Sequence, residues 1–283
     1  MTGNGSTLTI GRVPFSRFGS WMVLGQRSGR LLLKNVHNQG EALVQLMPVM
    51  DGRALEYTVK MTATLLTLET ERGSIEFCFE SADTLRARGT GVALDLACVI
   101  PAVAYSDSAN SATFNFRPAL RRYQLETLAG ASTMRGSYSL ENKETPGLLV
   151  EPDKDGVWEL AIDEFWSTWK RPVRKTFAQC RASTASEFEA FVDSMPKAPE
   201  HLRDAHRLAA YVNWATTVAP CGLLKRHTLL MSKKMMTRVW SWDQCFNAMA
   251  LAGGQDNLAM DQMLLLVDHQ DEFGSYPDAI DDI

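Results

Sequence analysis

The sequence predicts a multidomain protein, β then α: an N-terminal antiparallel β-sandwich followed by a helical domain. Two textures predict it. From residue 21 to about 165, short alternating or β-branched runs are separated by turn residues, as in a chain of many strands. After Trp169 apolar residues recur at three and four, the helical period. The 283 residues, 45% of them apolar, suffice for one large core or two ordinary ones.

The strands are taken first. Residues 29–36, 55–61 and 74–80 read as strands, and 92–99, 112–117 and 157–165 continue the spacing with no convincing helix between them. In 74–80, Ile75, Phe77 and Phe79 fall on one face and Ser74, Glu76, Cys78 and Glu80 on the other, which predicts half-buried antiparallel sheet. Packing two such sheets face to face hides both apolar faces.

The helical elements follow in order. Thr184 with Glu187 reads as a capping box opening a short helix that carries Phe188, Phe191 and Val192. Pro196 and Pro199 punctuate a linker, so the boundary is set near Met195, giving domains 1–195 and 196–283. Pro199 starts a helix whose Leu202, Ala205, Ala209, Val212 and Ala215 or Thr216 form its expected buried stripe, ended by Pro220 and Gly222. Ser241 with Gln244 reads as another capping box. It opens a helix to Gly253-Gly254 with Cys245, Phe246, Met249 and Ala250 facing inward. Asp256 is expected to cap a last helix through Leu258, Met263, Leu264 and Val267, buried among its neighbours and stopped by Gly274.

Composition narrows the function. Lys and Arg number 29 against 33 Asp and Glu, a net charge of -4, which provides no basic field for a nucleic-acid backbone. The longest apolar runs fall far short of the roughly 20 residues that a bilayer span needs. Residues 1–20 lack a charged start and apolar block, so a cytoplasmic location is expected. The five cysteines contain no C-x-x-C pair, which fits a reducing compartment and small core residues rather than a zinc knuckle. No Walker loop, dinucleotide fingerprint or G-x-S-x-G occurs, so no cofactor is predicted and carboxylate chemistry or simple binding remains.

The most informative stretch is Trp240-Ser241-Trp242-Asp243-Gln244. Paired aromatics cover the apolar faces of a pyranose, and a carboxylate accepts two hydrogen bonds from neighbouring hydroxyls. The plainer reading has Asp243 complementing a helix dipole and both tryptophans in the core. Downstream, Asp268, His269, Gln270, Asp271 and Glu272, then Tyr276, Pro277 and Asp278, suit either a pocket rim or a solvated helix end. A metal site from Asp268, His269 and Glu272, or from Asp278, Asp281 and Asp282, matches no calcium-loop or H-E-x-x-H pattern; no metal is predicted.

These residues resemble the bacterial members of glycoside hydrolase family 63 and the related mannosylglycerate-hydrolase-like and trehalase-like glycosidases. The matching pieces, in the family's order, are residues 220–226, 231–236, 239–247 and 268–272, ending in Tyr276-Pro277-Asp278; residues 14–20 add a weaker match. The resemblance implies that the helices begin an (α/α)6 toroid whose loops bind an α-glucoside or similar small sugar. It implies a substrate-binding set of Trp240, Trp242, Asp243, Gln244, Tyr276, Pro277 and Asp278, with Asp243 holding hydroxyls rather than donating a proton. Inverting enzymes of this kind place an acid and a base about 6.5 to 9.5 Å apart. The motifs that carry them in the relatives have no counterpart after Asp243, so both are expected beyond Ile283. Residues 199–283 also fall short of the roughly 180 that a dozen helices and their connections need, so the toroid reads as truncated. A non-catalytic carbohydrate-binding or scaffold protein built on the β-sandwich is the alternative.

Overall fold

The computed structural model of the chain describes residues 8–117, 119–136 and 145–283. Among the described residues, fifteen strands precede the first long helix. They are β1 (Met22–Arg27), β2 (Arg30–Asn35), β3 (Glu41–Met50), β4 (Arg53–Ala54), β5 (Thr58–Met61), β6 (Leu66–Glu69), β7 (Ser74–Ser81) and β8 (Thr84–Thr90), then β9 (Ala93–Cys98), β10 (Val103–Ser108), β11 (Ser111–Phe116), β12 (Arg121–Ala129), β13 (Ala131–Arg135), β14 (Gly147–Glu151) and β15 (Val157–Phe165). One sheet runs β1-β2-β3-β9-β14-β13, with β4 added to β3; the other runs β10-β11-β12-β15-β8-β7-β6-β5.

The two sheets share one core. Leu24, Leu33, Leu46 and Leu96 from the first pack with Phe77, Phe114, Leu125 and Ile162 from the second. This is the expected antiparallel sandwich. In β7, Ile75, Phe77 and Phe79 face that core as the alternation requires, yet Cys78 on the opposite face is also fully buried. There it packs with Phe177 and Cys180 of the first helix, which covers the outer side of the sheet.

Four α-helices follow: α1 (Phe177–Ser194), α2 (Arg203–Thr216), α3 (Ser241–Leu251) and α4 (Asp256–Val267). Several expectations are corrected here. Helix α1 starts well before Thr184, because the capping box is Thr176 with Gln179. Thr184 sits inside it, where its hydroxyl donates to the Phe79 carbonyl at 2.6 Å and fastens the helix to β7. Ser241 is the first residue of α3 rather than its cap, and no side chain caps that helix. Asp256 likewise begins α4, with Gln255 before it. Gly274 lies past the end of α4 and closes a separate turn with Asp271.

The buried helix faces also differ in part from those the spacing predicts. Ahead of and along α2, Leu202, Ala205, Ala209 and Val212 face outward; Ala215 is buried as expected, together with Ala210, Tyr211, Asn213 and Trp214. In α3, Ala248 and Leu251 are buried whereas Cys245, Phe246, Met249 and Ala250 are exposed. Helix α4 buries Leu258, Ala259, Leu265 and Leu266 but presents Met260, Met263 and Val267 to solvent. Each helix is apolar on more sides than its neighbours cover, so periodicity alone did not choose the buried face.

Candidate functional site

The site forms where α3 begins. Val239 and Trp240 make a two-residue antiparallel ladder with Ile280 and Ala279, and the Ser241 amide donates to the Asp278 carbonyl at 2.9 Å. Trp240 to Asp243 and Tyr276 to Asp278 are thereby laid side by side. Trp242 is 73% exposed and leans on Phe246, with ring centroids 5.4 Å apart. Asp243 stands half-buried in the first turn of α3, where the helix dipole favours a carboxylate. Tyr276 and Asp278 are exposed and Pro277 is half-buried. Among the described residues, neither the Asp243 nor the Asp278 carboxylate has a side-chain hydrogen bond or ion pair.

Trp240 is half-buried beneath the Arg238 guanidinium, 5.4 Å from its ring centroid, and Arg238 is gripped by both oxygens of Asp281 at 2.8 Å. Gln244 departs from the expected binding set. It is fully buried, donates to the Leu229 carbonyl at 2.8 Å and accepts from Asn247 at 3.1 Å, so its amide is spent inside the fold. Gln262 of α4 completes the brace by accepting from the Leu229 amide at 2.8 Å.

The polar end of α4 is structural as well. Asp268 holds Arg226 at 2.7 and 3.0 Å, and that guanidinium lowers its carboxyl below the usual range. His269 bonds the Leu223 carbonyl, and Asp271 accepts from the Phe273 and Ser275 amides. This set is engaged in turns and ion pairs.

Sequence reasoning missed a buried network that the segment after Ile280 enters through Asp282. His37, stacked on Trp21 at 3.9 Å, has Nδ1 2.5 Å from Asp282 Oδ2 and Nε2 3.3 Å from Glu164. Burial opposes its charge, but hydrogen bonds to Asp282, Cys221 and Glu164 outweigh it and push the imidazole up to about 9. His37, Cys221 and Asp282 lie close enough to share a cation. Arg121 already stands there, with Nη2 2.9 Å from His37 Nδ1 and 3.4 Å from Cys221 Sγ, and its Nε 3.2 Å from Glu164. The set is an ion-pair and hydrogen-bond network in which His37 and Arg121 meet the Asp282 and Glu164 carboxylates. Its sequence signals are scattered, since Asp282 and His37 are 245 residues apart.

The same C-terminal segment explains Pro220-Cys221-Gly222-Leu223-Leu224. Gly222 has a φ of +56°, and a Cβ there would lie 1.7 Å from the Asp282 carbonyl oxygen, which accepts from the Leu223 amide at 2.9 Å. Only glycine admits that approach.

No protein-family model matches the sequence, and no curated protein matches it either. Solved structures do. An inverting mannosidase of glycoside hydrolase family 92 from Bacteroides thetaiotaomicron aligns with a TM-score of 0.53 at 6% identity, covering 73% of this chain and 36% of that one. The chain has a glycoside-hydrolase-like fold. A second glycosyl hydrolase of family 92 aligns at 0.51 and 10% identity over 80% of this chain and 43% of its own. The chain thus spans well under half the length of either neighbour. Among the described residues, no helix is long and apolar enough to cross a membrane.

Proposed function

We propose that this chain carries the sugar-holding rim of an inverting glycoside hydrolase acting on a small α-glycoside, an α-glucoside or α-mannoside, with its general acid and base beyond Ile283. The observation that carries this reading is the ladder of Val239 and Trp240 with Ile280 and Ala279, extended by the Ser241–Asp278 bond, which brings the start of α3 with Trp242 and Asp243 to the segment of Tyr276 and Asp278. Two exposed aromatic rings beside two unpaired carboxylates suit a pyranose, whose apolar faces stack and whose hydroxyls donate.

The likeness to family 92 is one of fold; the family 63 motif order favours a glucoside, and the two sugars are left to experiment. An (α/α)6 toroid continued by further helices is supported by the outward apolar residues of α2, α3 and α4, which more helices would cover. The five free thiols fit a reducing compartment such as the cytoplasm.

Assay of the chain on aryl α-glucosides and aryl α-mannosides tests the division of labour. Binding without hydrolysis is expected. Turnover that disappears in Asp243→Asn would instead put the catalytic pair within residues 1–283.

A further inference from the structure

The outer face of the first sheet holds a groove of about 960 Å3, and none of the α3 rim residues lines it. Its accessible cations are Arg27 and Arg30 at the β1–β2 turn, Lys34 on β2 and Lys234 from the loop before α3; Lys233 also lines it, but its buried ammonium is spent on Ser16 and on the Ser20 and Thr217 carbonyls, and Glu41 is the one carboxylate among its described lining residues. In a chain of net charge -4 this is a local excess of positive charge. Among the described residues none of these four cations forms an ion pair.

The arrangement is built rather than incidental. Arg27 and Arg30 are direct cross-strand partners, and like charges in that position repel. The turn between them is tight, with φ of +50° at Ser28 and +77° at Gly29, as a two-residue hairpin turn requires. Tyr57 clamps it: its hydroxyl donates to the Gly29 carbonyl at 3.1 Å and accepts from the Leu31 amide at 3.0 Å. Further along the same face, Lys34 donates to the Lys234 carbonyl at 2.9 Å and the Lys234 ammonium donates to the Gly11 carbonyl, so each meets a main-chain oxygen and no counter-charge. Burial and the Arg27 charge both lower the Lys34 pKa. Leu32 and Ala42 supply an apolar floor between the cations.

We propose that this groove binds a small, multiply charged oxyanion ligand, a phosphate ester or a polycarboxylate, gripped by Arg27, Arg30, Lys34 and Lys234. Guanidinium forks match phosphate and carboxylate oxygens two at a time, and an anion between Arg27 and Arg30 turns their repulsion into shared attraction. The volume lies within the range of small-molecule sites. This site is independent of the sugar rim.

Calorimetric titration of the whole chain at low salt with pyrophosphate and with citrate tests it. At least one probe binds with a Kd below about 1 mM, and the tighter of the two identifies the phosphate or carboxylate source. Arg27→Gln with Arg30→Gln weakens that binding by about tenfold or more. The same double variant, without anion, melts no lower than wild type, because it removes a like-charge pair; Arg30→Gln alone gives an intermediate affinity. Lys154→Gln, on the exposed turn between β14 and β15, leaves the affinity unchanged. Failure of both probes to bind with a Kd below about 1 mM, equal affinity in wild type and double variant, or an equal loss in Lys154→Gln would overturn the proposal.

Discussion

The Ser241 amide donates to the Asp278 carbonyl at 2.9 Å, and this bond aligns two segments that the sequence keeps apart. With the Val239–Ile280 and Trp240–Ala279 pairs it fixes the height of Trp242 and Asp243 beside Tyr276 and Asp278. Because the tie is made by backbone, the side chains at the rim are free to meet a ligand.

Rim and brace respond differently to truncation. Gln244→Ala leaves the buried Leu229 carbonyl unpaired, so it lowers stability by about 2 kcal/mol in denaturant unfolding. Trp242→Ala, at a residue 73% exposed, changes stability by less than about 0.5 kcal/mol. Equal losses would mean that the rim is part of the core.

Gly222→Ala drives a methyl group into the Asp282 carbonyl and forces an alanine to positive φ. The expected cost is about 3 kcal/mol or more, with faster hydrogen exchange at the Leu223 amide as the C-terminal segment lifts. Unchanged protection there would show that the segment does not depend on this turn.

Stability should fall in alkali through His37. Its folded pKa, about 9, lies above the ordinary value of 6.5, so its contribution is complete below pH 6.5 and fades as the pH rises through 9. The span corresponds to roughly 3 kcal/mol. Unfolding free energies measured from pH 6 to 10 should show this loss, and His37→Gln should flatten it. A wild-type profile as flat as the variant's would contradict the ion-pair assignment.

The outward faces of α2, α3 and α4 predict self-association. Phe246, Met249 and Met263 are 53%, 72% and 39% exposed, more apolar surface than a solitary chain tolerates well. Sedimentation velocity should detect concentration-dependent association that Phe246→Ser with Met249→Ser reduces, at unchanged melting temperature. A wild type that stays monomeric up to about 0.1 mM would argue against an uncovered helical face.

Much of the fold was legible because strands alternate with period two: Ile75, Phe77 and Phe79 turn inward as read. Helix faces were not, because α3 and α4 are apolar on several sides and only tertiary neighbours choose among them. Thr184 resembled a cap but serves as an inter-element hydrogen-bond donor to Phe79. At the site, residue types were readable from Trp242, Asp243 and Asp278, whereas their adjacency depends on backbone pairing that carries no side-chain signature. Gln244 was drawn into the binding set by its neighbours in sequence; one residue along a helix turns a side chain by about 100°, enough to bury it. The His37–Asp282 pair joins residues at opposite ends of the chain, beyond the reach of any local pattern.

The most direct test of the central claim is a calorimetric titration of the chain with methyl α-glucoside and methyl α-mannoside, repeated on Asp243→Asn and Trp242→Ala. Millimolar binding of one sugar, weakened about tenfold or more in both variants while their melting temperatures hold, is the predicted result. Binding unaffected by both substitutions, or no binding of either sugar by the folded wild type, would contradict it.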